Sequence, residues 1–315
     1  MSDKLIKRAK RKFTGYPAIK LLAALDSPLK KKYQTSFACS SSIRVTDGKI
    51  QSRFCKRTWC NICNPIRVAV RLNNYQKPLN DLGGLHITTL TIPNCQASEI
   101  RETILKFRLT FKQYRNTLKK QGIDFKGVYN FETTYNYKTG LYHPHIHIIH
   151  NKQPLYKKLP VHIPPNARKG KNYFYNDLIV YWLQKIPSAQ LIAQDAQRCF
   201  NLIEGFKYQA LNIYKRKING LTVPVIPTIE LDQIYQAIEG IHCFQAFGIK
   251  KIKEEDIEKQ MNELTAYDTT KPEGVYGWVY YDWHEVLTNE VLSDYLPEQK
   301  TINYYNKLLK NESYK

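Results

Sequence analysis

The sequence predicts an α+β protein from three stretches. Residues 85–92 (Leu-His-Ile-Thr-Thr-Leu-Thr-Ile) are β-branched and alternating, and Pro93-Asn94 stop them, as at a strand end. Residues 97–121 instead place Ile100, Ile104, Phe107, Phe111, Tyr114 and Leu118 at helical spacing and end at Gly122. Two further strands, 125–135 and 141–149, are joined by Asn136-Tyr-Lys-Thr-Gly140, a turn whose glycine can take positive φ. A hairpin beside a long helix, without β-α-β alternation, argues for α+β over a doubly wound sheet.

The remaining elements follow in chain order. Residues 1–36 are a basic N-terminal arm, with Lys7-Arg8-Ala9-Lys10-Arg11-Lys12 and Lys30-Lys31-Lys32, expected to stay partly disordered until it meets phosphate. Residues 37–250 form the main domain, which includes a cysteine-bearing segment at 39–67. Beyond the hairpin, 151–170 is a Pro/Lys-rich loop, and helical patterns resume at 173–186, 198–214 and 229–239. Residues 251–315 are an acidic tail with helical patterns at 252–264 and 289–311.

The chain has 315 residues, 43% hydrophobic and 12% aromatic, enough for a real core, so disorder throughout is excluded. No run approaches the 18 apolar residues of a membrane span, and the N-terminus does not resemble a signal peptide. A cytoplasmic protein is expected, with no membrane partner. The net charge is +21, unevenly spread: residues 251–315 hold 8 Lys and Arg against 13 Asp and Glu, leaving 40 against 14 for residues 1–250. So concentrated a positive field implies a polyanionic partner, nucleic acid above all.

The candidate chemistry centres on Tyr142-His-Pro-His-Ile-His-Ile-Ile-His150. Side chains alternate faces along a strand, so His145 and His147 project together while Ile146 and Ile148 anchor the other side. Two such imidazoles, about 7 Å apart at the backbone, can share one divalent cation. Upstream, Cys39, Cys55, Cys60 and Cys63 fall within 25 residues, and in a reducing compartment such spacing reads as structural zinc before disulfide. Cys95, Cys199 and Cys243 read as buried cysteines without a ligand. Downstream, Glu204 and Tyr208 are four apart and share a helical face. A tyrosine beside a metal can attack a phosphodiester, and a carboxylate one turn away can take a proton from water.

Taken together, these blocks resemble the rolling-circle replication initiators of small bacterial plasmids, in the HUH endonuclease superfamily. The match runs in order through Cys55–Cys63, residues 85–94, Phe131-Glu-Thr-Thr-Tyr-Asn136 with Tyr142–His147, and Glu204-Gly-Phe-Lys-Tyr208. The resemblance implies an antiparallel β-sheet flanked by helices, with Mn²⁺ or Mg²⁺ on His145 and His147 and Glu132 as third ligand; His143 competes for that place. It implies Tyr208 as nucleophile, a nick in one strand of plasmid origin DNA held single-stranded, a 5′-phosphotyrosine link and a free 3′-OH for rolling-circle replication. Glu204 would activate water to end the cycle, unless a second tyrosine attacks, and host replication machinery would extend the primer. Gly205 inside the presumed helix, and Gln-Ala-Leu-Asn after Tyr208 where a basic residue is expected, depart from the pattern. Two other readings compete. One is a histidine-triad nucleotide hydrolase or transferase, since residues 143–149 also fit His-φ-His-φ-His-φ-φ. The other is a non-catalytic zinc-dependent DNA-binding protein.

Overall fold

The structure, a computed structural model, describes residues 2–46, 49–157, 174–200, 202, 206, 216–218, 221–223, 226–252 and 272–312. Its α-helices are α1 (Ser2–Ala24), α2 (Lys30–Phe37), α3 (Cys63–Asn80), α4 (Ile100–Lys120), α5 (Asp177–Lys185), α6 (Thr228–Ile238) and α7 (Gln299–Glu312). Its strands are β1 (Ser42–Thr46), β2 (Lys49–Ser52), β3 (Leu85–Thr91), β4 (Gly127–Asn136), β5 (Leu141–Asn151) and β6 (Asp195–Arg198). They continue with β7 (Arg216–Ile218), β8 (Leu221–Val223), β9 (Phe244–Phe247), β10 (Gly274–Val279) and β11 (Asp282–Glu285). The fold is α+β with antiparallel sheets, as the sequence predicts. No helix among the described residues is long and apolar enough to cross a membrane.

Two compact units share the chain. The first comprises Met1–Val70, Ala210–Asp232 and Glu255–Lys315; the second, Arg71–Gln209 and Gln233–Glu254. The chain passes between the two units more than once.

In the first unit the N-terminal arm is helical, which corrects the expectation of disorder. Leu5, Ala9, Phe13, Ala18 and Leu22 recur every four or five residues and are all buried, while Lys7, Lys10 and Arg11 stay exposed. Burying each large apolar side chain contributes about 1.5–3 kcal/mol. Like-charge repulsion along a helix face costs only a few tenths, so the stripe wins. The C-terminal segment is corrected as well. Strand β10 pairs with β1, in a sheet ordered β11-β10-β1-β2. Only the later helical pattern of the tail appears, as α7; residues 253–271 lie outside the described residues. Trp283 is fully buried under α1 with Ala9, Ile43 and Val45, and its Nε1 donates to the Ser40 carbonyl at 2.7 Å.

The second unit is built on a five-stranded sheet ordered β6-β3-β5-β4-β9, with β5 in the middle and every pair antiparallel. Helix α4 buries Ile100, Ile104, Phe107, Phe111, Tyr114 and Leu118, the predicted stripe. It stops where Gly122 takes φ +71. Phe107 stacks on Trp182 of α5 at 4.8 Å, and Phe111 meets Tyr129 of β4 edge-on at 5.2 Å. Ile146 and Ile148 of β5, Leu90 of β3 and Phe131 of β4 are in register on this buried face. His150 also lies on it, fully buried. Its Nδ1 donates to the Asn151 carbonyl and its Nε2 meets the Thr88 hydroxyl, both at 2.8 Å. Burial pushes His150 down to about 4.

Candidate functional site

The odd residues of β5 face away from α4. Register sets the row Thr91–His145–Glu132 across three strands, and one step along it the row Asp195–Thr89–His147–Asn130–Phe244 across five. Residues directly opposite on neighbouring strands share a face and stand about 4.5–5.5 Å apart. The hairpin therefore carries Glu132 onto the histidines. His145 Nε2 and His147 Nε2 lie 3.1 and 3.3 Å from the same oxygen, Glu132 Oε2. The three ligand atoms all lie within 4.8 Å of one another.

The geometry of this cluster leaves room for a proton or a cation between its groups. His145 Nδ1 faces the His143 carbonyl at 3.1 Å, and a carbonyl only accepts, so that nitrogen carries the hydrogen. His145 Nε2 therefore faces the carboxylate with either a proton or a cation between them. Burial alone would raise the Glu132 carboxyl, but hydrogen bonding to His145 and His147 overrides it and holds the group down at about 2. The group is thus ionised, nine-tenths buried and bound to two imidazoles, a donor set that suits a divalent cation.

Two orienting contacts escaped sequence reasoning. Thr89 Oγ1 lies 3.0 Å from His147 Nδ1, so the hydroxyl of β3 leaves His147 Nε2 for the cluster. His143 does not join the ligand group: its Nδ1 meets Asn94 Oδ1 at 2.8 Å. Burial, then the charge of His145, pushes His143 down to about 4. Thr89 sits in a predicted strand, but which histidine it would face depends on register, and no local pattern encodes that.

The first unit holds a second cluster. Cys39 precedes β1 and Cys55 follows β2, so the open end of this hairpin brings them together, with Ser40 N donating to the Arg53 carbonyl at 2.9 Å. Cys60 follows closely in the same loop, and Cys63 opens α3. All four sulfurs lie within 4.8 Å of one another, with Cys39–Cys63 at 3.5 Å and Cys55–Cys63 at 3.6 Å. Sulfurs about 2.3 Å from one tetrahedral ion would be about 3.8 Å apart, so the cluster could hold a metal. The backbone N–H of Lys56, at φ +56, donates to Cys63 Sγ at 3.2 Å, and that of Cys55 to Cys39 Sγ at 3.4 Å. Peptide groups therefore supply hydrogen bonds to two of the sulfurs. Cys95, Cys199 and Cys243 lie apart from this cluster.

Glu204 and Tyr208 lie outside the described residues. Phe206, between them in sequence, is described: it is helical and fully buried, and its ring lies 5.8 Å from Phe244. Phe244 belongs to the His147 row, so Phe206 packs against the face that carries the Glu132–His145–His147 cluster.

The chain is similar to a protein named "Protein rep" from Streptococcus pneumoniae serotype 2 (strain D39 / NCTC 7466). The two are 30% identical over 119 residues, 34% of this chain, and the match spans 36% of that curated relative's length. No protein-family model matches the sequence. No solved structure matches the chain.

Proposed function

We propose that the protein initiates plasmid replication by nicking one strand of origin DNA through metal-dependent tyrosine transesterification. The observation that carries this reading is the convergence of the ligand atoms of Glu132, His145 and His147 on one point. The similarity to a protein named for replication, and the basic charge of residues 1–250, support it. Glu132, His145 and His147 would hold Mn²⁺ or Mg²⁺, which when bound polarises a phosphodiester oxygen and stabilises its developing charge. Cys39, Cys55, Cys60 and Cys63 would hold structural Zn²⁺.

In the first step the phenolic oxygen of Tyr208 bonds to phosphorus as the bond from phosphorus to the 3′-oxygen breaks. The phenol loses its proton and the 3′-oxygen gains one, leaving a 5′-phosphotyrosine ester and a free 3′-OH for the host polymerase. In the second, Glu204 takes a proton from water, whose oxygen displaces the tyrosine. A histidine-triad mechanism needs a ring nitrogen free to attack phosphorus, whereas both Nε2 atoms here lie against Glu132.

The test is a labelled single-stranded origin oligonucleotide with Mn²⁺. Wild type is expected to form a covalent adduct that mass spectrometry maps to Tyr208. Tyr208→Phe is expected to bind the DNA and form none. An undiminished adduct in Tyr208→Phe would remove that residue from the mechanism.

A further inference from the structure

A groove of about 580 Å³ opens in the first unit between α1, the β10–β11 turn and α7. Seven of its 13 lining residues are aromatic, two are lysines and none is acidic. It plays no part in the cluster of the second unit. We propose that this groove binds unpaired nucleotides of a single strand, stacking bases on its rings and holding a phosphate with Lys20.

Ring presentation separates this groove from an ordinary core. Tyr280, at the tip of the β10–β11 turn, is 84% exposed, and its φ of +54 is a conformation that a tyrosine adopts at a cost. The turn thus holds out a large ring that packing does not require. Phe37 is 39% exposed and meets the half-buried Tyr16 at 5.4 Å. Each side carries a cation against an aromatic face: Lys20 Nζ is 5.5 Å from the Tyr16 ring, and Lys12 Nζ is 5.3 Å from the Trp278 ring. Lys12 is nearly buried and donates to the Cys39 carbonyl at 2.6 Å and the Ser41 hydroxyl at 3.2 Å, so it braces the groove wall beneath the rings.

The charge selects the occupant. A peptide or lipid tail would satisfy the rings but would make no use of Lys20, the exposed cation of a lining that holds no Asp or Glu. A duplex has phosphates but hides its base faces in its own stack. A single strand offers both, and aromatic platforms in a basic groove are the general solution for binding it without reading sequence. The inference does not rest on the nicking reading, since it requires neither the metal nor Tyr208.

The experiment measures binding of a fluorescent oligo(dT) by the full-length protein carrying His145→Ala and His147→Ala, which disables the cluster of the second unit. Tyr280→Asn removes the ring with a residue that tolerates positive φ, and Lys20→Gln removes the exposed charge. The pair is expected to weaken oligo(dT) binding on the order of tenfold or more. Binding to duplex of equal length should change little, and the melting temperature should be unaltered. Photocrosslinking with 5-iodouracil DNA should label Tyr16, Trp278 or Tyr280. Unchanged oligo(dT) affinity in the folded variant, or crosslinks confined to the second unit, would overturn the proposal. Equal weakening for duplex would also overturn it, by reducing the groove to a charge effect.

Discussion

Thr89→Val isolates the orientation of His147 from its identity. The two side chains have nearly the same shape and strand preference, and Thr89 is half-buried opposite His147, so the packing of β3 on β5 should survive. What is lost is the 3.0 Å contact between Thr89 Oγ1 and His147 Nδ1. One neutral hydrogen bond contributes about 1 kcal/mol net. With it goes the restraint that turns His147 Nε2 toward Glu132 Oε2, now 3.3 Å away. Partners of this kind are worth about 10- to 100-fold in metal affinity, or about 1.4–2.7 kcal/mol. Titrating the protein with Mn²⁺ and following the EPR signal of the free ion should show that loss in Thr89→Val, with the melting temperature of the metal-free protein nearly constant. Thr89→Ser should recover most of the affinity, because it restores the hydroxyl. Wild-type affinity in Thr89→Val, or a Thr89→Ser as weak as the valine, would show that the hydroxyl does not position the ligand.

Two further outcomes follow from the same geometry. If the cysteines hold zinc as proposed, Cys63→Ser should lower zinc content by about one equivalent, measured with a chromogenic chelator after thiol release, because Cys63 Sγ lies 3.5 and 3.6 Å from the sulfurs of Cys39 and Cys55; full retention of zinc would dissociate the cysteines from a metal. His150 should make the protein acid-sensitive. Its folded value of about 4 lies below its ordinary 6.5, so the unfolded chain takes up the proton first. The stability of neutral His150 is complete above pH 6.5 and disappears as the pH falls toward 4, about 3 kcal/mol in all. Urea unfolding across that range should slope less in His150→Gln, and an identical slope would assign the acid sensitivity elsewhere.

The parts legible in the sequence are those whose partners are close along the chain. The α4 stripe, the 136–140 turn and the alternation of His145 and His147 are local patterns, and each reappears within a residue or two of where it was read. Glu132 came from the family resemblance, and the short hairpin sets it opposite His145. Thr89 and Asn94 were not legible, because β3 reaches β5 only after α4 and β4 intervene, and its register is set by packing. The N-terminal arm was misread for another reason: its lysines and arginines are conspicuous, while the stripe from Leu5 to Leu22 that buries α1 is spread thinly between them. Strand β10 was missed because its partner, β1, lies near the other end of the chain.

The two faces of the second unit's sheet are coupled through register. Phe131, Ile146, Ile148 and Leu90 pack beneath α4 and α5, and only one alignment of β3, β5 and β4 puts all of them there. A slip of one residue along β4 would turn Phe131 outward and drive Glu132 toward Phe107 and Trp182, burying a carboxylate among rings. That penalty falls on the apolar side, yet it is what keeps Glu132 beside His145 and His147. The geometry of the candidate metal centre is therefore held chiefly by residues that never touch it.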